Sequence, residues 1–195
     1  MSLALLLRAL DFAAAKHRNQ RRKDAGASPY INHLIDVASL LAHVGKVEDV
    51  VTLAAAALHD TLEDTATTPA ELEEAFGPEI RRIVEEVSDD KRLSRAERRR
   101  VQVAGAAERS PRARLVMLAD KISNVRDVTR RPPPAWTPEG TGRYFDWTAE
   151  VVGRIRGTNA PLEACYDDVL REARAALAAR ASGQRPAVSD PPARP

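Results

Sequence analysis

Cysteine is nearly missing from this 195-residue chain, which has Cys165 and no other. One sulfur excludes an internal disulfide and a thiolate-built zinc site. Cys165 reads as a small packed hydrophobe and not as a nucleophile. Aromatic residues are almost as scarce, at 4%. Sheets draw on Val, Ile, Tyr and Phe, so this shortage, beside abundant alanine and leucine, favours packed helices. An excess of one charge is lacking too: Lys plus Arg is 30 against Asp plus Glu 28, a net charge of +2. Nucleic-acid binders carry a stronger, clustered basic excess, so no nucleic-acid partner is expected. No run reaches the ~20 apolar residues of a membrane span. The opening MSLALLLRALDFAAAKH resembles a signal peptide, but Arg8 and Asp11 interrupt it and its leucines and alanines fit a helical face. A soluble, cytoplasmic protein with no membrane partner is expected; the oligomeric state is not legible.

What is present is enough for one domain with a real core: 44% hydrophobic and 30% charged residues over 195 positions. Helix-start signals recur along it. Ser28-Pro29 precedes YINHLIDVASLLAHV, a cap residue followed by a proline suited to the first helical position. Thr68-Pro69-Ala70-Glu71 and Ser94-Arg95-Ala96-Glu97 are capping-box patterns, and Gly77 closes the helix that Thr68 opens. Ser110-Pro111 opens RARLVMLADKISNVRDV, with Leu115, Leu118, Ile122 and Val125 on one side. RRPPPAWTPEGTG, residues 130–142, reads as a proline-rich surface loop before the helix RYFDWTAEVVGRIRG. A last helix is predicted over roughly 160–180. No period-2 strand is evident. The fold class is all-α, with a helical domain over 1–180 and a disordered, four-proline tail over 181–195. The run ERRRVQV turns Arg98, Arg99 and Arg100 in three directions, so it reads as solvated helix surface.

The chemistry concentrates in AAAALHDTLEDT, residues 54–65. An alanine-rich, apparently buried helix ends in His59-Asp60 and sets Glu63 and Asp64 one turn further on. Ionisable groups are costly beside a hydrophobic core unless something compensates them, and a metal ion with a water would do so. Of the four histidines, His17 and His43 read as structural; His59, next to Asp60 at a helix end, is the better ligand candidate. Asp120 breaks the apolar face of VMLADKISN, with Asn124 one turn later on the same side. Glu63 lies four residues beyond His59 and Asp64 four beyond Asp60, so each pair shares a face.

The set QRRKDAGASPYINHLIDVA, AAALHDTLEDTATT, FGPEIRRIVEEVSDDK and LADKISNVRD resembles the HD-domain superfamily of metal-dependent phosphohydrolases. Within it the chain is similar to the small stand-alone alarmone (guanosine tetraphosphate) hydrolases of the Rel/Spot homologue family, called Mesh1-like. The likeness spans roughly residues 3–178. It implies an HD-domain helical bundle and a 3′-diphosphatase acting on guanosine tetra- or pentaphosphate to give GDP or GTP plus pyrophosphate. It implies that His33, His59, Asp60 and Asp120 ligate the metal, usually Mn2+, and that Glu63 and Asp64 position or deprotonate the attacking water. Arg22, Lys23, Asn124 and Tyr144 match residues lining the nucleotide site, and Arg95 falls where relatives carry a basic residue. Two imidazoles and two carboxylates suit a borderline divalent ion on general grounds. One departure stands out: position 140 is Gly where a relative has a basic residue, and Arg143 is the available substitute. The alternatives are a phosphatase for another 2′- or 3′-phosphorylated nucleotide such as NADPH, and a non-catalytic alarmone-binding module.

Overall fold

The computed structural model describes residues 3–24 and 26–182. In chain order it runs α1 (Leu3–Lys16), α2 (Ile31–His43), α3 (Val50–Leu58), the single-turn α4 (Thr61–Asp64), α5 (Pro69–Phe76), α6 (Pro78–Val87) and α7 (Arg95–Gly105). A 3-10 turn (Ala106–Glu108) then leads to α8 (Pro111–Arg130), α9 (Pro138–Arg154) and α10 (Ala160–Ala181). Among the described residues the one departure from helix and loop is a bridge between Arg21 and Pro29. This is the expected all-α class. Of the expected tail, Ala181 ends α10 and Ser182 follows it; residues 183–195 lie outside the described residues.

The bundle is arranged around α3. Its sequence VVTLAAAAL is buried from Val51 to Leu58, and α1, α2, α6 and α8 all pack on it. Four successive alanines explain how so many helices reach one: methyl side chains let neighbouring backbones approach on every side, and α3 presents no polar face to water. α8 supplies the second long wall through Leu118, Ile122 and Val125, with Leu115 half-buried at its edge. α10 covers α8 from outside, and Tyr166 on it donates from its hydroxyl to Thr148 Oγ1 at 2.9 Å. α1 is pinned at its flank, where Phe12 meets Phe76 edge-on at 5.2 Å.

Most helix starts are the ones the sequence announces. Thr68 accepts from Glu71 N–H with Pro69 behind it, Ser94 and Glu97 form the reciprocal box, and Ser110 accepts from Ala113 N–H. Gly77, at φ 85°, ends α5 and starts α6 in a backbone region that suits glycine. Two expectations fail. Ser28 does not cap α2: its N–H and hydroxyl both bond the Asp24 carboxylate, at 3.0 and 2.7 Å, closing a loop over 21–29. Tyr30 enters α2 instead, and Pro29 sits in the bridge with Arg21. The proline-rich loop is also shorter than expected, because Thr137 accepts from Gly140 N–H with Pro138 in the first turn. A Thr-Pro cap outweighs two glycines where the helix is only starting. No described helix is long and apolar enough to cross a membrane.

Asp49 joins local and global order. It accepts from Val51 N–H, Thr52 N–H and Thr52 Oγ1 at the start of α3, and from Arg112 Nε at the start of α8. Burial works against its charge, but the bonds from Thr52 and Arg112 outweigh that and hold the carboxyl below its ordinary 3.8. Asp49→Ala is therefore expected to lower stability by about 1 kcal/mol, mostly through the lost cap, since a half-exposed ion pair adds little. The difference from wild type should be complete above pH 3.8 and shrink as pH falls through the lower folded value. Urea unfolding of both proteins across that range checks it.

Candidate metal centre and nucleotide cavity

The alanine helix does not run through HDTLED unbroken. Thr61, buried, turns its hydroxyl back to Leu58 O at 2.6 Å, so α3 stops at Leu58 and a separate turn carries Thr61–Asp64. His59 and Asp60 sit in the break, and the Asp64 N–H to Asp60 O bond of 2.8 Å keeps the one-turn relation. The break turns two side chains inward off the end of a fully buried helix.

Four of the expected residues meet there. His59 Nε2 lies 3.2 Å from Asp60 Oδ2 and 3.6 Å from Asp120 Oδ1. His33 Nε2 lies 3.2 Å from Asp120 Oδ1 and 3.7 Å from Asp60 Oδ2. His33, His59 and Asp60 present donor atoms within 4.8 Å of one another, as metal ligands do. The outer nitrogens fix both rings: His59 Nδ1 bonds Ala56 O at 2.8 Å, and His33 Nδ1 meets Ser123 Oγ at 3.0 Å. A carbonyl can only accept, so His59 carries a proton on Nδ1 and turns Nε2 toward the carboxylates. That buried Nε2 has no hydrogen-bond partner among the described residues. The donors therefore fit a divalent cation, which would take the place of a proton at Nε2 and answer both anions.

The electrostatics point the same way. Burial opposes ionisation of Asp60 and Asp120, yet His59 beside the first, and Lys121 and His33 beside the second, hold both carboxyls well below their ordinary range. Burial also opposes charge on His59, but Asp60 and Asp120 outweigh it and pull the imidazole well above its usual value. This is a pocket of negative potential that calls for positive charge.

Glu63 and Asp64 rim the centre. Glu63 accepts from Asp89 N–H at 3.0 Å; burial, with Asp60 nearby, raises its carboxyl above 4.5. Asp64 accepts from Gln20 Nε2 at 3.2 Å, and Lys91 Nζ sits between Asp64 and Glu63. Tyr30 closes the ring: its hydroxyl is 2.6 Å from Asp60 Oδ2 and 3.2 Å from Asp64 Oδ2. Burial and those two carboxylates raise the phenol far above its ordinary value, so it stays a donor.

The four donors line a cavity of about 170 Å³, and a larger one of about 420 Å³ adjoins it, sharing Tyr30, Glu63, Asp64, Lys121 and Asn124. The larger is of the size that holds small organic ligands. Arg22, Lys23, Asn124, Tyr144 and Arg95 all line it, so every expected nucleotide contact borders one space. Arg22 is already engaged, donating to Asn124 Oδ1 at 2.9 Å and Asp127 Oδ2 at 2.8 Å, and Asn124 Nδ2 donates to Asp120 Oδ1 at 2.6 Å. The three-arginine run departs from expectation. Arg98 and Arg99 face the cavity and only Arg100 is exposed, because α7 lays one side along α9. The Arg99 guanidinium rests 4.9 Å from the Trp147 ring and 5.6 Å from Tyr144, and Arg95 rests 5.3 Å from Trp136. Burial and the neighbouring Arg95 lower Arg99 below its usual value, the mark of a cation held away from any carboxylate. Arg143, the expected substitute at the rim, does not line the cavity. Sequence reasoning passes over Tyr30, Lys91, Lys121, Trp136 and Arg99; the aromatic beside His33 and the two lone tryptophans are the available signals.

A profile of the HD domain matches residues 9–139. The guanosine-3′,5′-bis(diphosphate) 3′-pyrophosphohydrolase MESH1 of Homo sapiens is 51% identical over 169 residues, 87% of this chain and 94% of that protein. Its Drosophila melanogaster counterpart is 44% identical over the same coverage. A solved structure described as a metazoan ortholog of SpoT that hydrolyzes ppGpp superposes with a TM-score of 0.85 at 44% identity, covering 88% of this chain and 97% of the other. A Listeria monocytogenes structure at 24% identity and TM-score 0.63 shares the fold alone. The chain belongs to the HD-domain family, in its MESH1-like branch.

Proposed function

We propose that this enzyme hydrolyses the 3′-diphosphate of guanosine tetra- and pentaphosphate, giving GDP or GTP plus pyrophosphate, with Mn2+ held by His33, His59, Asp60 and Asp120. The observation that carries the reading is the joining of two things in one space. The four donors line the smaller cavity, and the larger one, which shares Tyr30, Glu63, Asp64, Lys121 and Asn124 with it, is walled by arginines resting on aromatic rings. Relatives with half their residues in common bear the name of this activity. Bound at the four donors, the cation supplies Lewis-acid polarisation of the phosphoryl group and of the attacking water.

The chain's own groups do the rest. The water oxygen bonds to the phosphorus next to the ribose 3′ oxygen, the bond between that phosphorus and the 3′ oxygen breaks, and the 3′ oxygen takes up a proton from solvent to become the product's 3′ hydroxyl. Glu63, raised by burial, takes the water's proton, and Asp64, held by Gln20, keeps the water in line. Lys121, which lines both cavities, adds positive charge where it builds on the phosphoryl oxygens, and Lys91 holds the two acidic side chains in place. Arg95 and Arg99 take the phosphates away from the reacting centre, and Lys23 adds a third cation. Tyr144 and Trp136 offer flat faces for the base. A cytoplasmic enzyme with the free nucleotide as its partner goes with this reading.

Incubation with Mn2+ and guanosine tetraphosphate should give GDP plus pyrophosphate on ion-exchange chromatography, with no product after chelation or from Asp60→Ala. Orthophosphate from NADPH without cleavage of the tetraphosphate would replace the substrate and keep the site. Glu63→Gln is expected to lower kcat about 10²- to 10⁴-fold. Because the base must be unprotonated, wild-type kcat/KM should rise with pH through a value above 4.5, and the Gln variant should lose that limb. Arg99→Ala should raise KM roughly tenfold while kcat changes little, which initial-rate kinetics would separate.

A further inference from the structure

We propose that Tyr30 and Gln20 are positioning residues that lock the metal ligand Asp60 and the water-holding Asp64 into one fixed relation, each by a hydrogen bond from outside the HDTLED segment. The inference rests on the metal-dependent hydrolase reading of the site.

The need follows from the break in the helix. Asp60 precedes a single turn, α4, and Thr65 beyond it is already extended. One backbone bond, Asp64 N–H to Asp60 O, ties the two residues, and nothing in a one-turn helix fixes their side-chain rotamers. Lys91 holds Asp64 through Oδ1, and the Oδ2 atom of each carboxylate is fixed by Tyr30 and Gln20. Tyr30 bonds Asp60 through Oδ2, the same oxygen that faces His33 Nε2 and His59 Nε2, so its hydroxyl sets which lone pair points at the imidazoles. The same hydroxyl reaches Asp64 Oδ2 at 3.2 Å and so spans both carboxylates. The phenol itself has little freedom: His17 stacks on it at 4.9 Å, His33 meets its edge at 5.8 Å, and the Arg22 guanidinium lies 5.5 Å over it. Gln20 holds Asp64 from the other side, and its amide has one orientation, because His17 Nδ1 bonds its Oε1 at 2.6 Å and leaves Nε2 for the carboxylate. His17, which reads from sequence as merely structural, is the buried anchor for both.

Two variants separate the roles. Tyr30→Phe keeps the ring and its stacking and removes one hydroxyl; it is expected to weaken Mn2+ binding about 10- to 100-fold by isothermal titration calorimetry, with kcat falling by a similar factor. Gln20→Ala keeps the Tyr30 hydroxyl that bonds Asp60; it is expected to lower kcat about tenfold with Mn2+ affinity unchanged. Wild-type Mn2+ affinity in Tyr30→Phe overturns the assignment for Tyr30, and wild-type kcat in Gln20→Ala overturns it for Gln20. Should Tyr30→Phe lose its cooperative melting transition, the split expected of Gln20→Ala still decides, since a loss of fold would lower metal binding together with kcat. Wild-type protein that neither binds Mn2+ nor cleaves the tetraphosphate would instead sink the functional reading itself.

Discussion

Two carboxylates are held ionised against a core of alanine methyls, and the rest of the structure is arranged to tolerate them. Transfer of a carboxylate out of water costs several kcal/mol unless charge and hydrogen bonds return it. Here they are returned by side chains from three places in the fold: imidazoles from α2 and the end of α3, Lys121 and Asn124 from α8, and Tyr30 from the turn before α2. Each contributor is placed by packing elsewhere. α3 brings His59 because it is buried on all sides, and α8 brings Asp120 because its apolar stripe is seated against α2, α3 and α10. Core and site are the same contacts viewed from two ends.

The cavity shows a division of charge that follows from this. Near the centre, cations are spent on carboxylates: Lys121 on Asp120, Lys91 on Asp64, Arg22 on Asp127. Away from it, Arg95 and Arg99 rest on aromatic rings instead. Rings hold a guanidinium in place without neutralising it, so its charge remains available to a ligand. A nucleotide carrying phosphate groups at two positions meets both regimes at once.

The fold class is legible because alanine, leucine and capping patterns agree with each other across most of the chain. The donors His59, Asp60 and Asp120 are legible because an HD pair at a helix end and a lone Asp on an apolar face are costly without a cation, and resemblance completes the set with His33. Orientation is what local pattern leaves open. Ser28 reads as a cap because Ser-Pro usually is one, while Asp24, four residues earlier, competes for the same hydroxyl. ERRRVQV reads as solvent-facing because three adjacent arginines cannot share a helix face. The tertiary packing of α7 on α9 decides which of them points inward, and no local pattern contains it. Tyr30 and Gln20 escape for a like reason: their partners are 30 and 44 residues away.

The alanine run of α3 bears on how such an enzyme changes over generations. Ala54 to Ala57 are wholly enclosed, so any larger side chain there would displace a neighbouring helix. His59 and Asp60 hang from the end of that helix and would move with it. Innovation at the metal end is therefore closed off by packing, whatever its chemical merit. The opposite wall has no such tether: Arg95 and Trp136 lie on an exposed helix start and a loop, and can be exchanged without disturbing α3. New substrates should arise by rewriting α7 and the 131–137 loop around an inherited centre, leaving one reaction with many possible clients.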